Sequence, residues 1–226
     1  MSRAFCIPGI IFLTAALVLG IITSISLPFL PAIDFVRVHF GNGVATSGAG
    51  MTELRFGVWA PCYYATNGAR TCLDTGHGYS ISISNQQNTA NVIIGSSWTR
   101  GLAVHPVATA VTFIAFLLSF STHTTVTLVS SLVSFLAAFL TLIAFAIDIA
   151  LYGFVHHEIG KLPDVDGRTR TSAAFWMTFV TLLLLLLAGC TVCFGRRRDR
   201  MSGAASYPMS SYEKPSFFSR FRRNKV

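Results

Sequence analysis

Apolar residues along this chain gather into four long runs, at about residues 5–27, 102–120, 126–152 and 173–194. Each matches the roughly 17–25 helical residues that a bilayer's hydrocarbon core requires. Between them lie two polar segments of unequal length, 28–101 and 153–172, and a connection of only five residues at 121–125. So short a connection forces the second and third spans into an antiparallel hairpin. The pattern predicts a mainly α membrane protein with a four-span domain over residues 1–195 and a polar, disordered tail over 196–226. The first run is too long for a signal-peptide core and has no small-residue cleavage site, so it reads as a retained helix.

A period of two appears only in the longer polar segment. Phe35-Val-Arg-Val-His-Phe40 and Tyr79-Ser-Ile-Ser-Ile-Ser84 alternate, and residues 52–58 form a third candidate strand. Gly41-Asn-Gly43 and Ser47-Gly-Ala-Gly50 read as turns between them. The expectation is a small antiparallel sheet of three to five strands with a thin core. Trp59, packed on the membrane surface, is expected to supply part of its order.

Charge adds direction to this picture. Charged residues make up 12% of the chain, against about 25% in soluble domains. The net charge of +8 comes mostly from the segment beyond Phe194, where nine Lys and Arg stand against Asp199 and Glu213. By the positive-inside rule that tail is cytoplasmic. Four spans then put the N-terminus on the same side and both larger loops outside. The basic balance therefore gives no reason to expect nucleic acid as a partner. The chain contains no Asn-x-Ser/Thr sequon, so no N-glycan is expected on the exposed loops.

Cysteine placement agrees with that topology. Cys62 and Cys72 fall in the long outer loop, where an oxidising milieu permits a disulfide. A free pair or half of a metal site are the alternatives, although no accompanying His or Cys has zinc-ligand spacing. Cys6, Cys190 and Cys193 fall near cytoplasmic helix ends.

Phe56-Gly57-Val-Trp59-x-x-Cys62 with Cys72 resembles the Gly-Leu-Trp-x-x-Cys…Cys signature of claudin-like proteins. Gly78-Tyr79 follows the second cysteine. Leu102-Ala-Val-His105-Pro106-Val-Ala108 opens the second span, and Phe145-Ala-Ile-Asp148-Ile-Ala-Leu-Tyr-Gly153 closes the third, with Trp176 in the fourth. Together these resemble the fungal PalI family, related to eisosome proteins, over roughly residues 5–195. Ala60-Pro61 departs from the residues usual before the first cysteine. The resemblance implies a claudin-like fold in which four spans carry a small disulfide-stapled extracellular β-sheet. It also implies a plasma-membrane accessory to ambient-pH signalling that helps a seven-span PalH-type sensor reach or stay at the membrane. Paralogues that organise membrane compartments or cell-wall-linked cortical patches share the domain, which keeps a structural role as the alternative.

Few residues suggest chemistry. Asp148 is the only acidic residue within the four predicted spans. An ionised carboxylate at the bilayer centre costs roughly 2.5–3.5 kcal/mol on insertion scales, so it should face the bundle and find a partner. His105 opens the neighbouring span at a matching depth. A His105–Asp148 contact is geometrically reasonable, either as a static hydrogen bond orienting the loop or as a proton-sensitive element, since imidazoles titrate near neutral pH; simple snorkelling of Asp148 to the interface is the alternative. His156-His157-Glu158 reads as a solvated interfacial turn rather than a metal site. No catalytic constellation or cofactor-binding motif is present, and neither enzymatic activity nor a cofactor is expected.

Cys190 and Cys193, beside Arg196, Arg197 and Arg198, are candidate S-palmitoylation sites. The tail ends in Phe217-Phe-Ser-Arg220-Phe-Arg222-Arg223, a mixture of aromatic and cationic residues suited to anionic lipid. Ser130, Ser134 and Ala138 on the third span, and Ala16 with Gly20 on the first, repeat every four residues. Small residues at that spacing let helices approach closely. Packing within the chain is the expected use, and self-association is the alternative.

Overall fold

The computed structural model describes residues 6–46, 49–85, 87–121, 124–163 and 165–205. Helix α1 (Cys6–Phe29) leads into strands β1 (Val36–Thr46), β2 (Ala49–Phe56), β3 (Pro61–Ala65), β4 (Arg70–Cys72), β5 (Ile81–Ser84) and β6 (Asn91–Ile94). A short helix α2 (Ser96–Thr99) and one 3-10 turn (Arg100–Ala103) enter α3 (Val104–Ser119). Then come α4 (Thr124–Ile159), β7 (Gly167–Thr171) and α5 (Ala173–Ala205).

Four helical segments are long and apolar enough to cross a membrane: Pro8–Phe29, Ser96–Ser119, Leu128–Ile159 and Ala173–Thr191. They close a ring in which α1 touches α3 and α5, and α4 touches the same two. The centre is built from small and aliphatic side chains, among them Ala16, Ala115, Ala137, Ala138, Leu185 and Ala188. The four-residue spacing of small side chains serves this packing. Ser130, Ser134 and Ala138 are buried, and the Ser130 hydroxyl donates across to the Ala115 carbonyl at 3.1 Å. A Cβ on Gly20 would come within 2.9 Å of Thr109 Oγ1. Leu132 and Phe139 are among the exposed apolar side chains, as lipid contact requires.

At one end of the bundle stands an antiparallel five-stranded sheet of order β4-β3-β2-β1-β7, with β5 and β6 as a separate two-stranded hairpin. The inward side chains of β1 and β2, namely Val36, Val38, Phe40, Leu54 and Phe56, pack with Ile81, Ile83 and Ile94 into one core. The same core takes in Leu151, Val155 and Ile159 of α4.

That stripe explains the first departure from the sequence pattern. The third apolar run was expected to end at 152, but α4 continues through Ile159. Leu151, Val155 and Ile159 recur every four residues and are fully buried, so the helix runs on past the expected end of the span and becomes the pillar under the sheet. His156, His157 and Glu158 therefore lie on a helix and not in a turn. Three further corrections concern the sheet and the tail. Gly41-Asn-Gly43 is no turn: β1 runs on to Thr46, with a register shift between His39 and Val44. The sheet also recruits β7 from the shorter polar segment, pairing Val36 with Thr171 and Phe40 with Gly167. Finally, α5 extends through Ala205, so residues 196–205 are helical where disorder was expected. Arginines form helix well, and cations near a helix C-terminus are favoured by its dipole.

Candidate functional site

His105 sits in the first turn of α3, where Pro106 follows it without loss because that turn needs no amide donor. Asp148 sits on α4, three residues before the pillar begins. Their side chains meet with Nε2 3.0 Å from Oδ1. His105 is 4% exposed and Asp148 0%. The imidazole also lies against the Phe35 ring, with centroids 4.6 Å apart. This contact ties α3 and α4 together directly beneath the sheet. The second carboxylate oxygen, Asp148 Oδ2, is buried without a hydrogen-bond partner.

Next to the pair is a cavity of about 10 Å³, the room one water needs. His105 lines it together with Thr23 of α1, Thr109 and Thr112 of α3, Thr141 of α4, and Thr178 and Thr181 of α5. Each of these hydroxyls donates back to its own helix, as from Thr112 to Ala108, Thr141 to Ala137 and Thr178 to Ala174. With their protons committed, the oxygens present lone pairs to the cavity. Thr178 stands beside Asp148 and donates to the Ala174 carbonyl at 2.9 Å. The layer is thus rich in acceptors and suits a guest that brings donors, as a water does.

The loop motif forms the joint between the sheet and α1. Helical geometry in α1 breaks at Ser26 and Leu27, ahead of Pro28, because proline disfavours helix at the residue before it. The freed Ser26 hydroxyl accepts the Val58 amide at 3.0 Å. Gly57 lies so close to Leu27 that a Cβ would fall on its side chain and within 3.0 Å of its backbone. The Trp59 indole donates to the Ser24 carbonyl at 2.7 Å and tilts against His77. It is thus fastened to α1 instead of being left to the bilayer surface.

Tyr79 donates to the Gly57 carbonyl at 2.8 Å, and the Thr99 hydroxyl donates to the Tyr79 carbonyl at 2.7 Å. Burial pushes the Tyr79 phenol well above its ordinary range. Gly78 has φ +82, with the Arg100 side chain filling the place of a Cβ. Cys62 and Cys72 are direct cross-strand partners on β3 and β4 and form a disulfide.

Other expected residues are not drawn into a site. His156 and His157 are exposed, and Glu158 pairs with Lys161 at 2.6 Å. Among the described residues no group of three His, Cys, Asp or Glu could hold a metal. Cys190 is an exposed free thiol on α5. Cys193, Arg196, Arg197 and Arg198 continue along that helix, while Arg220, Arg222 and Arg223 lie outside the described residues. The threonine lining was missed in the sequence. Its signal was present, in hydroxyls at helical spacing within apolar spans, such as Thr109 with Thr112 and Thr178 with Thr181.

In comparisons with known proteins, the family model described as the SUR7/PalI family matches residues 5–193. No curated protein matches the chain.

Proposed function

Because the chain belongs to the SUR7/PalI family, we propose that it is a plasma-membrane accessory protein of ambient-pH signalling, assisting the localisation or stability of a seven-span PalH-type sensor. Family membership over residues 5–193 supports a membrane accessory role in general. The observation that carries the reading is the buried His105–Asp148 bond, an imidazole and a carboxylate joined between α3 and α4 where the bundle meets its sheet. The spans and the outer loop then act as contact surface for the partner.

In this reading the tail and the N-terminus are cytoplasmic, and the sheet and both larger loops are extracellular, as the nine tail cations favour. Cys190 and Cys193 take palmitate, and the basic tail with Arg196, Arg197, Arg198, Arg220, Arg222 and Arg223 rests on anionic lipid. The alternative is a structural organiser of plasma-membrane domains or cortical patches that works by self-association.

The deciding experiment is a pull-down of the tagged chain from its native cells in mild detergent, followed by mass spectrometry. Recovery of a seven-span sensor supports the accessory role. Recovery of only the chain itself and cortical scaffold proteins, with static patches at the cell surface, assigns the chain to membrane organisation.

A further inference from the structure

The solvent face of the five-stranded sheet carries a row of cations that the buried pair does not require. Cross-strand register sets Arg170 of β7 opposite Arg37 of β1, and Arg37 opposite Arg55 of β2. Adjacent strands lie about 4.8 Å apart, so these three arginines form a ladder across three strands. In the next row Arg168 stands opposite His39, which stands opposite Glu53. Residues 36, 38 and 40 point into the core while 37 and 39 alternate outward, so all of these side chains share the outer face.

Like charges directly opposite one another destabilise a sheet, and acidic partners offset the conflict only for Arg37 and Arg55, the latter also donating to the Pro31 carbonyl and lying over the Tyr64 ring. Asp34 is held by Arg37 through contacts of 2.7 and 3.1 Å. Glu53 is shared by Arg55, by Arg37 at 3.3 Å and by His39 at 3.6 Å. Asp34 and Glu53 are thus taken by β1 and β2, while a third carboxylate, Asp166, lies beside Gly41. Arg168 and Arg170 are exposed and have no acidic partner among the described residues. Cations on an edge strand discourage further strand pairing, but that need places no ladder inward across β1 and β2.

We propose that this face binds an extended acidic polysaccharide lying across β7, β1 and β2, its carboxylate or sulfate groups meeting the guanidinium ladder. Two features favour a linear polyanion over a folded protein. The cations repeat at strand spacing, and arginine forks bind such oxyanions bidentately. The described residues of β1, β2, β3, β4 and β7 also expose no large apolar side chain, whereas a protein interface draws its energy from aromatic and apolar anchors. The proposal is independent of the pH-signalling reading.

Hydrogen exchange of the full chain in zwitterionic nanodiscs, with and without heparin as the probe, tests it and separates the sheet from the basic tail. Heparin is expected to slow exchange in β7 and the first half of β1, with the effect lost at high salt. Arg168→Gln with Arg170→Gln should weaken that protection at least tenfold in heparin concentration, while Arg168→Lys with Arg170→Lys retains most of it. The thermal midpoint of the Gln variant should be unchanged or higher, because a repulsion is removed. Absence of heparin-induced protection in β1 and β7, or protection indifferent to the Gln variant, overturns the proposal. Protection produced by phosphatidylserine vesicles but not by heparin also overturns it, in favour of a lipid surface.

Discussion

The imidazole of His105 and the carboxylate of Asp148, 43 residues apart in sequence, meet at 3.0 Å with almost no solvent exposure. Removing one partner of such a pair leaves the other buried and uncompensated, which costs about 3–5 kcal/mol. His105→Ala is therefore expected to destabilise strongly. Asp148→Asn keeps the shape and one acceptor and should cost about 1–2 kcal/mol. A double-mutant cycle on thermal unfolding in detergent should give a coupling energy of about 0.5–3 kcal/mol. Additive effects would mean that the contact contributes nothing of its own.

Gly57 predicts a sharp contrast between two glycines. Gly57→Ala drives a methyl into Leu27 at the break in α1, so the sheet must shift off the helix. The expected loss exceeds 3 kcal/mol, in the range of the severe core substitutions. A Cβ at Gly76 meets nothing within 4 Å, so Gly76→Ala should change stability by less than about 0.5 kcal/mol. Parallel melts of the two variants check the difference.

Tyr79 predicts an alkaline limit. Its folded phenol is raised by burial, so the unfolded chain loses that proton first, near pH 10. The neutral phenol's contribution is intact below that pH and is lost as pH rises above it. Tyr79→Phe should leave the Gly57 carbonyl without its donor, cost about 1–3 kcal/mol at neutral pH, and flatten the decline above pH 10. Chemical denaturation from pH 7 to 11 measures both effects. An unchanged alkaline slope would assign the decline to other groups.

The disulfide closes a separation of ten residues at the sheet edge. Chain-entropy arguments give it about 2.5–3 kcal/mol. Cys62→Ser with Cys72→Ser should lower overall stability by about that amount. Exchange should quicken first in β4, which pairs only with β3. Hydrogen exchange under oxidising and reducing conditions reads this directly, and uniform loosening of all strands would contradict it.

The sequence by itself determined the four spans and the antiparallel hairpin of α3 and α4, and it offered the Cys62–Cys72 bridge and a His105–Asp148 contact among its alternatives. Each follows from a local rule: the length of an apolar run, the reach of a five-residue connection, or the cost of a lone carboxylate in lipid. It also indicated three of the seven strands among the described residues, around Phe35–Phe40, residues 52–58 and Tyr79–Ser84. The tertiary structure alone decided the rest. Gly167–Thr171 is polar and short, and it becomes a strand only because β1, some 130 residues earlier, offers an open edge. Residues 153–159 are helical because Leu151, Val155 and Ile159 find the sheet's inner face, although His156, His157 and Glu158 on the opposite side read as loop. The six threonines form a polar layer only once four helices bring them together. Contacts between distant segments have no local period, so they stay unreadable until burial and register bring the segments side by side.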